Sequence, residues 1–172
     1  REIDTLAQSM DGMQATIGHF LAIGLALMRE REPHALYDRL LAETLAAAEG
    51  AAVGLYFLDA DRRQLLPAGG LIGEQRLILP ALSLRSSLHD ARARALETGR
   101  SQIEPLQPDS PVFDGLPPPV MALGRQGPSI RLCVPLVGHE GRGTGVLVLL
   151  FVHGQSLSHE RQAFIEALAG LA

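Results

Sequence analysis

A chain of 172 residues, 47% apolar and 20% charged, can bury one substantial core and has the polarity of an ordinary globular domain. Its net charge of −4, with every basic side chain an Arg, argues against nucleic-acid binding, which needs clustered positive charge. One cysteine rules out an internal disulfide and a cysteine-rich metal site, and no apolar run reaches the roughly 20 residues of a spanning helix.

The chain opens on Ile3, Leu6, Met10, Met13, Ile17, Phe20 and Leu27, spaced alternately three and four apart, with Gly24 filling the one gap. That is the heptad rule for a helix that buries a narrow seam against a partner helix. A chain that starts at Arg1 inside such a run is expected to be part of a longer protein, entered through this helix. Residues 17–28 are its most apolar stretch, too short to span a bilayer and closed by charge from Arg29 to Glu32. Pro33 ends the run and suits the first turn of a second helix. There Leu36, Leu40, Leu41, Leu45 and Ala48 form one apolar stripe, with Gly50 as terminator.

Ala51 to Asp59 is rich in strand formers and too apolar for a wet face, so it reads as a central strand. Asp59-Ala60-Asp61 supplies a turn, and Gln64 to Ala68 returns as the second arm of a hairpin. Leu77 to Leu84 is a further strand candidate that Pro80 pushes toward an edge. Ser87, with Asp90 three residues on, predicts a capped helix running to Thr98 and ending at Gly99. Ser101 to Ile103 adds a short strand. Residues 104–128 then hold seven of the eleven prolines, which makes continuous regular structure implausible. Val112, Phe113, Leu116, Val120, Met121 and Leu123 point to a loop that folds over something.

Ser129–Val137 and Thr144–His153 are the clearest strands, joined by a glycine-rich hairpin loop at 138–143. Ser158 caps a last helix carrying Phe164, Ile165, Leu168 and Leu171 on one side. The expected fold class is α+β: an antiparallel sheet with the first, second and last helices on one face. The proline-rich loop and the Ser87–Thr98 helix are left to cover the other face. Alternation along Ser129–Val137 sets Ile130, Leu132 and Val134 toward the helices and Ser129, Arg131 and Cys133 toward the loop. Arg131 is the candidate ligand residue, suited to a carboxylate or phosphate, or else to a salt bridge with Asp109, Asp114 or another loop acid. Phe113, Asp114 and Met121 are candidate lid residues.

No catalytic cluster is evident. The six histidines contain no pair at the helical zinc spacing, and Cys133 sits in an apolar strand without a neighbouring His, as a core residue does. Gly141-Arg-Gly-Thr-Gly145 joins two antiparallel strands instead of opening a helix, so it reads as a flexible hairpin and not a phosphate loop.

Three segments in this order resemble the GAF family of sensory domains: Gly54-Leu-Tyr-Phe-Leu-Asp59, then Leu132-Cys-Val-Pro-Leu-Val137 with Gly145-Val-Leu-Val-Leu149, then Leu157-Ser-His-Glu-Arg161 with Phe164 to Ala169. The resemblance covers 33–172, and residues 1–13 resemble the second helix of a HAMP linker. Two units are therefore expected, a signalling helix over 1–32 and a GAF domain over 33–172. The resemblance implies a non-enzymatic sensory or regulatory domain in the cytoplasmic portion of a bacterial inner-membrane protein, anchored through segments outside this chain. It implies a homodimer paired through Ile3, Leu6, Met10, Met13, Ile17, Phe20, Leu27 and Leu168. Output would come from a module such as a cyclic-di-GMP-turnover enzyme or a histidine kinase.

The same resemblance bears on cofactors. Some relatives hold haem on a histidine, for which His89 is the candidate here, and bilin-binding relatives attach through a Cys-His pair that this chain lacks. Neither cofactor is expected. Methionine-sulfoxide reductases of the family depend on several cysteines, and its cyclic-nucleotide binders on a signature containing Asn and Lys, two residues absent from this chain. The competing expectation is a degenerate GAF fold that binds nothing and serves as a dimerisation spacer.

Overall fold

A computed structural model of the chain describes residues 33–84, 90–137 and 141–170. The lead-in helix, with all seven of its seam residues from Ile3 to Leu27, and His89 lie outside the described residues. The first described element, α1 (Pro33–Ala48), is built from Leu, Ala and Glu with no glycine or proline beyond its first turn. Leu40, Leu41, Leu45 and Ala48 are buried along one stripe, and Thr44 satisfies its buried hydroxyl on the Leu40 carbonyl at 2.6 Å. The left-handed residue that ends α1 is Glu49 (φ 53°), one position before the expected Gly50.

Strands β1 (Ala52–Leu58) and β2 (Gln64–Ile72) form the expected hairpin, with β2 four residues longer than its sequence pattern suggested. The pairing slips between Leu55↔Gly69 and Tyr56↔Pro67, so Pro67 sits beside a bulge, where a missing donor is tolerated. The strand expected over 77–84 is a correction. Only the two-residue strands β3 (Gln75–Arg76) and β4 (Leu82–Ser83) form, both on β2. Leu77 still donates its backbone N–H to the Gly70 carbonyl at 2.9 Å, and 78–81 then leaves the ladder, with Leu77 and Leu79 packed onto the sheet.

Helix α2 (Ala91–Thr98) is shorter than expected, and Asp90 is itself the N-cap, accepting from the Arg92 backbone N–H. Gly99 closes it in the left-handed conformation (φ 67°). Strand β5 (Gln102–Leu106) follows, and the proline-rich segment then folds as a 3-10 turn (Pro111–Phe113) and a short helix α3 (Pro118–Gly124). Prolines at the first turns of both explain why short helices survive there. Strands β6 (Ser129–Val137) and β7 (Gly143–Phe151) and helix α4 (His159–Ala169), capped by Ser158, complete the chain. Among the described residues no helix is long and apolar enough to cross a membrane.

The main path of the antiparallel sheet runs β3-β2-β1-β7-β6-β5. Period-two alternation divides its side chains between two cores. Val53 and Leu55 of β1, Leu132, Val134 and Leu136 of β6, and Leu147, Leu149 and Phe151 of β7 pack against α1 and α4. The opposite face is covered in two halves. The proline-rich flap packs Phe113 and Val120 over Ala52, Leu106 and Leu150. Helix α2 packs Ala91 and Ala95 over Tyr56, Cys133 and Val146. Leu168 is a correction to the expected dimer seam. It is fully buried in the helix-side core of the chain itself, so it has no surface left to offer a partner.

Candidate functional site

Between the two halves of the flap-side core lies a cluster of buried charge. Asp90, fixed by its role as cap of α2, turns back on Arg92. Its Oδ1 accepts from the Arg92 Nε at 3.0 Å and its Oδ2 from Nη2 at 2.9 Å, a two-pronged pair that leaves little freedom of rotation. Arg92 Nη1 donates to the Tyr56 hydroxyl at 3.3 Å, and the guanidinium lies 5.3 Å from the centre of the Tyr56 ring. Arg131 stands opposite Glu104 in the β5–β6 ladder and donates from Nη2 to Glu104 Oε1 at 3.0 Å. A longer contact of 3.5 Å runs from the same nitrogen to Asp90 Oδ1. Arg94, half-exposed, approaches Glu104 from outside at 3.7 Å.

Charge is maintained by mutual contact. Burial alone would raise the Asp90 carboxyl, but the hydrogen bonds and charge of Arg92, with Arg131 behind it, hold it below the usual carboxylate value. Burial acts downward on Arg92, and the Asp90 carboxylate outweighs it and pushes the guanidinium up. Tyr56 is raised by burial against the opposing pull of Arg92. Burial pushes the Cys133 thiol up to about 12, so it is a neutral core group at ordinary pH.

Above this cluster the flap leaves a cavity of ≈ 50 Å³. Phe113, Val112, Leu116 and Val120 form its roof, and Ala52, Gly54, Tyr56, Val148 and Leu150 its floor. Leu77, Leu79 and Leu106 close the sides, and Arg92 and Arg131 supply its two charged groups. A Cβ on Gly54 would lie 2.8 Å from a methyl of Leu79, so a larger residue there would have to push that half-buried side chain aside. The space admits on the order of four water-sized groups.

The sequence-derived candidates divide accordingly. Arg131 and Phe113 line the cavity. Ser129 and Cys133 share the flap-side face of β6 with Arg131 and are buried, but neither reaches the cavity wall. Met121 is half-buried and packs against the flap core without lining the space. Asp114 is exposed and pairs with Arg125 at 2.9 Å, away from the cavity, so its lid role is not supported by its position. The acids on Arg131 are Glu104 and Asp90, not Asp109 or Asp114. Among the described residues, Arg131 Nε and Ser129 Oγ are buried without a hydrogen-bond partner.

Sequence reasoning missed Arg92 and Tyr56. The signal for Arg92 was the Asp90-Ala-Arg92 spacing at a helix start, where a capping acid can also reach a cation two residues on. The signal for Tyr56 was its alternation with Ala52 and Gly54 in a strand read as uniformly apolar. Among the described residues no three His, Cys, Asp or Glu side chains gather in a manner that would hold a metal ion.

The family model described as GAF domain matches residues 30–172. Among solved structures, the GAF domain of the Acinetobacter phosphoenolpyruvate-protein phosphotransferase is 16% identical with a TM-score of 0.64, covering 92% of this chain and 89% of that one. The nlh2 GAF domain of A. aeolicus in an inactive state is 11% identical with a TM-score of 0.65, covering 91% of each. Free methionine-R-sulfoxide reductase from Neisseria meningitidis, in complex with its substrate, is 18% identical with a TM-score of 0.65, covering 88% and 82%. At these identities the likeness is one of fold. Among curated proteins nothing matches the chain.

Proposed function

The chain belongs to the GAF domain family, and on that premise we propose that it is a non-enzymatic sensory or regulatory module that binds a small molecule beneath its flap. The observation that carries this reading is the ≈ 50 Å³ cavity, walled by apolar side chains and bearing Arg92 and Arg131. A concave apolar site with a few convergent polar groups is the usual form of a small-ligand site. Binding would favour one arrangement of flap and α2 over another, and only a ligand with different affinities for the two can shift that balance. The response would leave the domain through α1 and α4, which pack on the opposite face of the same strands. The lead-in helix would pair two copies, and membrane attachment and an output module would lie outside this chain.

The methionine-sulfoxide reductase likeness does not extend to chemistry in this reading. The sole cysteine, Cys133, is buried, protonated and off the cavity wall. A second reading, a spacer that binds nothing, draws on one observation: both cavity arginines already hold carboxylate partners. Native mass spectrometry of the whole chain, joined to a thermal-shift screen of small metabolites, separates the two. The sensor reading expects a dimer that is stabilised by at least one compound class. No stabilisation across the screen favours the spacer, and a strict monomer contradicts pairing through the lead-in helix.

A further inference from the structure

Building on the reading of the cavity as a ligand site, we propose that residues 107–128 form a preassembled lid that lifts off the sheet as one body, pivoting at Leu106 and Ser129. Those two residues are partners in the β5–β6 ladder, so the segment leaves the sheet and returns to it at one point. A loop whose ends meet and whose side chains pack on one another can hold its shape away from the surface it covers.

Its polar contacts are all its own. The Ser110 N–H donates to the Gln107 carbonyl and that of Asp114 to the Pro111 carbonyl, both at 3.0 Å, and Val120 and Met121 of α3 both donate to the Pro117 carbonyl. The Arg125 backbone N–H donates to the Met121 carbonyl, and its side chain spans the segment, from the Pro108 carbonyl at 3.0 Å to Asp114 Oδ1 at 2.9 Å. The Phe113 ring packs against the backbone of α3 at Gly124, where a Cβ would displace it. Among the described residues, no hydrogen bond or ion pair joins 107–128 to the sheet or to α2.

The seat beneath the lid is apolar. Phe113 and Val120 are buried on Ala52, Leu106 and Leu150. Such contact is non-directional, so a body held by it alone can separate without breaking a specific bond. The charged groups of the cavity stay behind. Arg92 belongs to α2 and Arg131 to β6, and their partners Asp90 and Glu104 also lie outside the lid. The closed space admits about four water-sized groups, so anything larger enters only with the lid raised. Opening therefore carries away an apolar roof and uncovers both arginines.

This motion can be measured without a ligand. Ala52→Cys, in a chain that also carries Cys133→Ala, puts a single thiol on the cavity floor beneath the lid. Val148→Cys, on the same floor, takes its place if circular dichroism shows that the first variant fails to fold. An aromatic disulfide reagent is too large for the closed space, so it labels that thiol only in open molecules. Hydrogen exchange at the Val120, Met121 and Arg125 amides follows loss of the lid's own hydrogen bonds under the same conditions. A lid that lifts whole is expected to leave the thiol protected at least about tenfold less than those amides, with labelling that proceeds in the absence of urea. Equal or greater protection of the thiol would mean that the flap unravels in place of lifting. Labelling only on global unfolding would mean that it stays shut. Either result overturns the lid, while the sensing reading is decided separately by the thermal-shift screen.

Discussion

At Asp90 three demands meet in one side chain: it caps α2, pairs with Arg92 and touches Arg131. Because its carboxyl is held below 3.8, the stability it contributes is present above that pH and is lost as pH falls through the lower folded-state value. Asp90→Asn keeps a good capping residue but removes the charge, leaving two buried guanidiniums underpaired. The variant is expected to lose about 3 kcal/mol at neutral pH, and to show a flatter fall in stability below pH ~4, by urea denaturation across pH. Equal loss at pH 3 and pH 7 would show that the Asp90 charge is not what stabilises the fold. Cys133 gives a second check. With its thiol pushed up to about 12, it should resist an aromatic disulfide reagent at pH 8 in the folded protein and react at once in denaturant. Arg131 and Phe113 were readable from strand alternation and from an aromatic in a proline-rich loop. Arg92 was not, because helix periodicity says nothing about a cation that turns back to its own cap.

Secondary elements were legible where the chain repeats and obscure where single contacts decide. Strands β6 and β7 and helix α4 follow their apolar patterns almost residue for residue. The failures are α2, whose start was displaced by three residues because Asp90 caps in place of Ser87, and 77–84, where burial of Leu77 and Leu79 outweighs strand pairing. The flap was expected to lack continuous regular structure, and it holds two short helical turns, pinned by Phe113 against α3. Gly124 makes that contact possible: a Cβ there would lie 2.1 Å from the Phe113 ring. Helix propensity alone favours Ala over Gly by about 1 kcal/mol. Displacing a ring that is 1% exposed costs more, so Gly124→Ala is expected to destabilise the domain by about 1–3 kcal/mol in equilibrium unfolding. A stabilised variant would mean that the flap is loosely seated.

On the scale of the molecule, the two faces of the sheet were legible because β1, β6 and β7 alternate between them. The cavity was not, since its walls come from segments far apart in sequence that no periodicity links. Assembly belongs to this scale as well. If the lead-in seam pairs two copies, replacing Met10 and Ile17 together by Arg should convert a dimer to a monomer in sedimentation velocity with the far-ultraviolet spectrum little changed. A dimer that persists would place the interface elsewhere. The account's central claim is that a ligand enters on the flap side, and β7 can report it directly because adjacent residues face opposite ways. Methyl-resolved NMR of the chain titrated with a compound that the thermal-shift screen selects is predicted to move Val120, Val148 and Leu150 while Leu147, Leu149 and Ile165 stay fixed. Shifts confined to the helix-side methyls, or none on either side at saturating ligand, would contradict it.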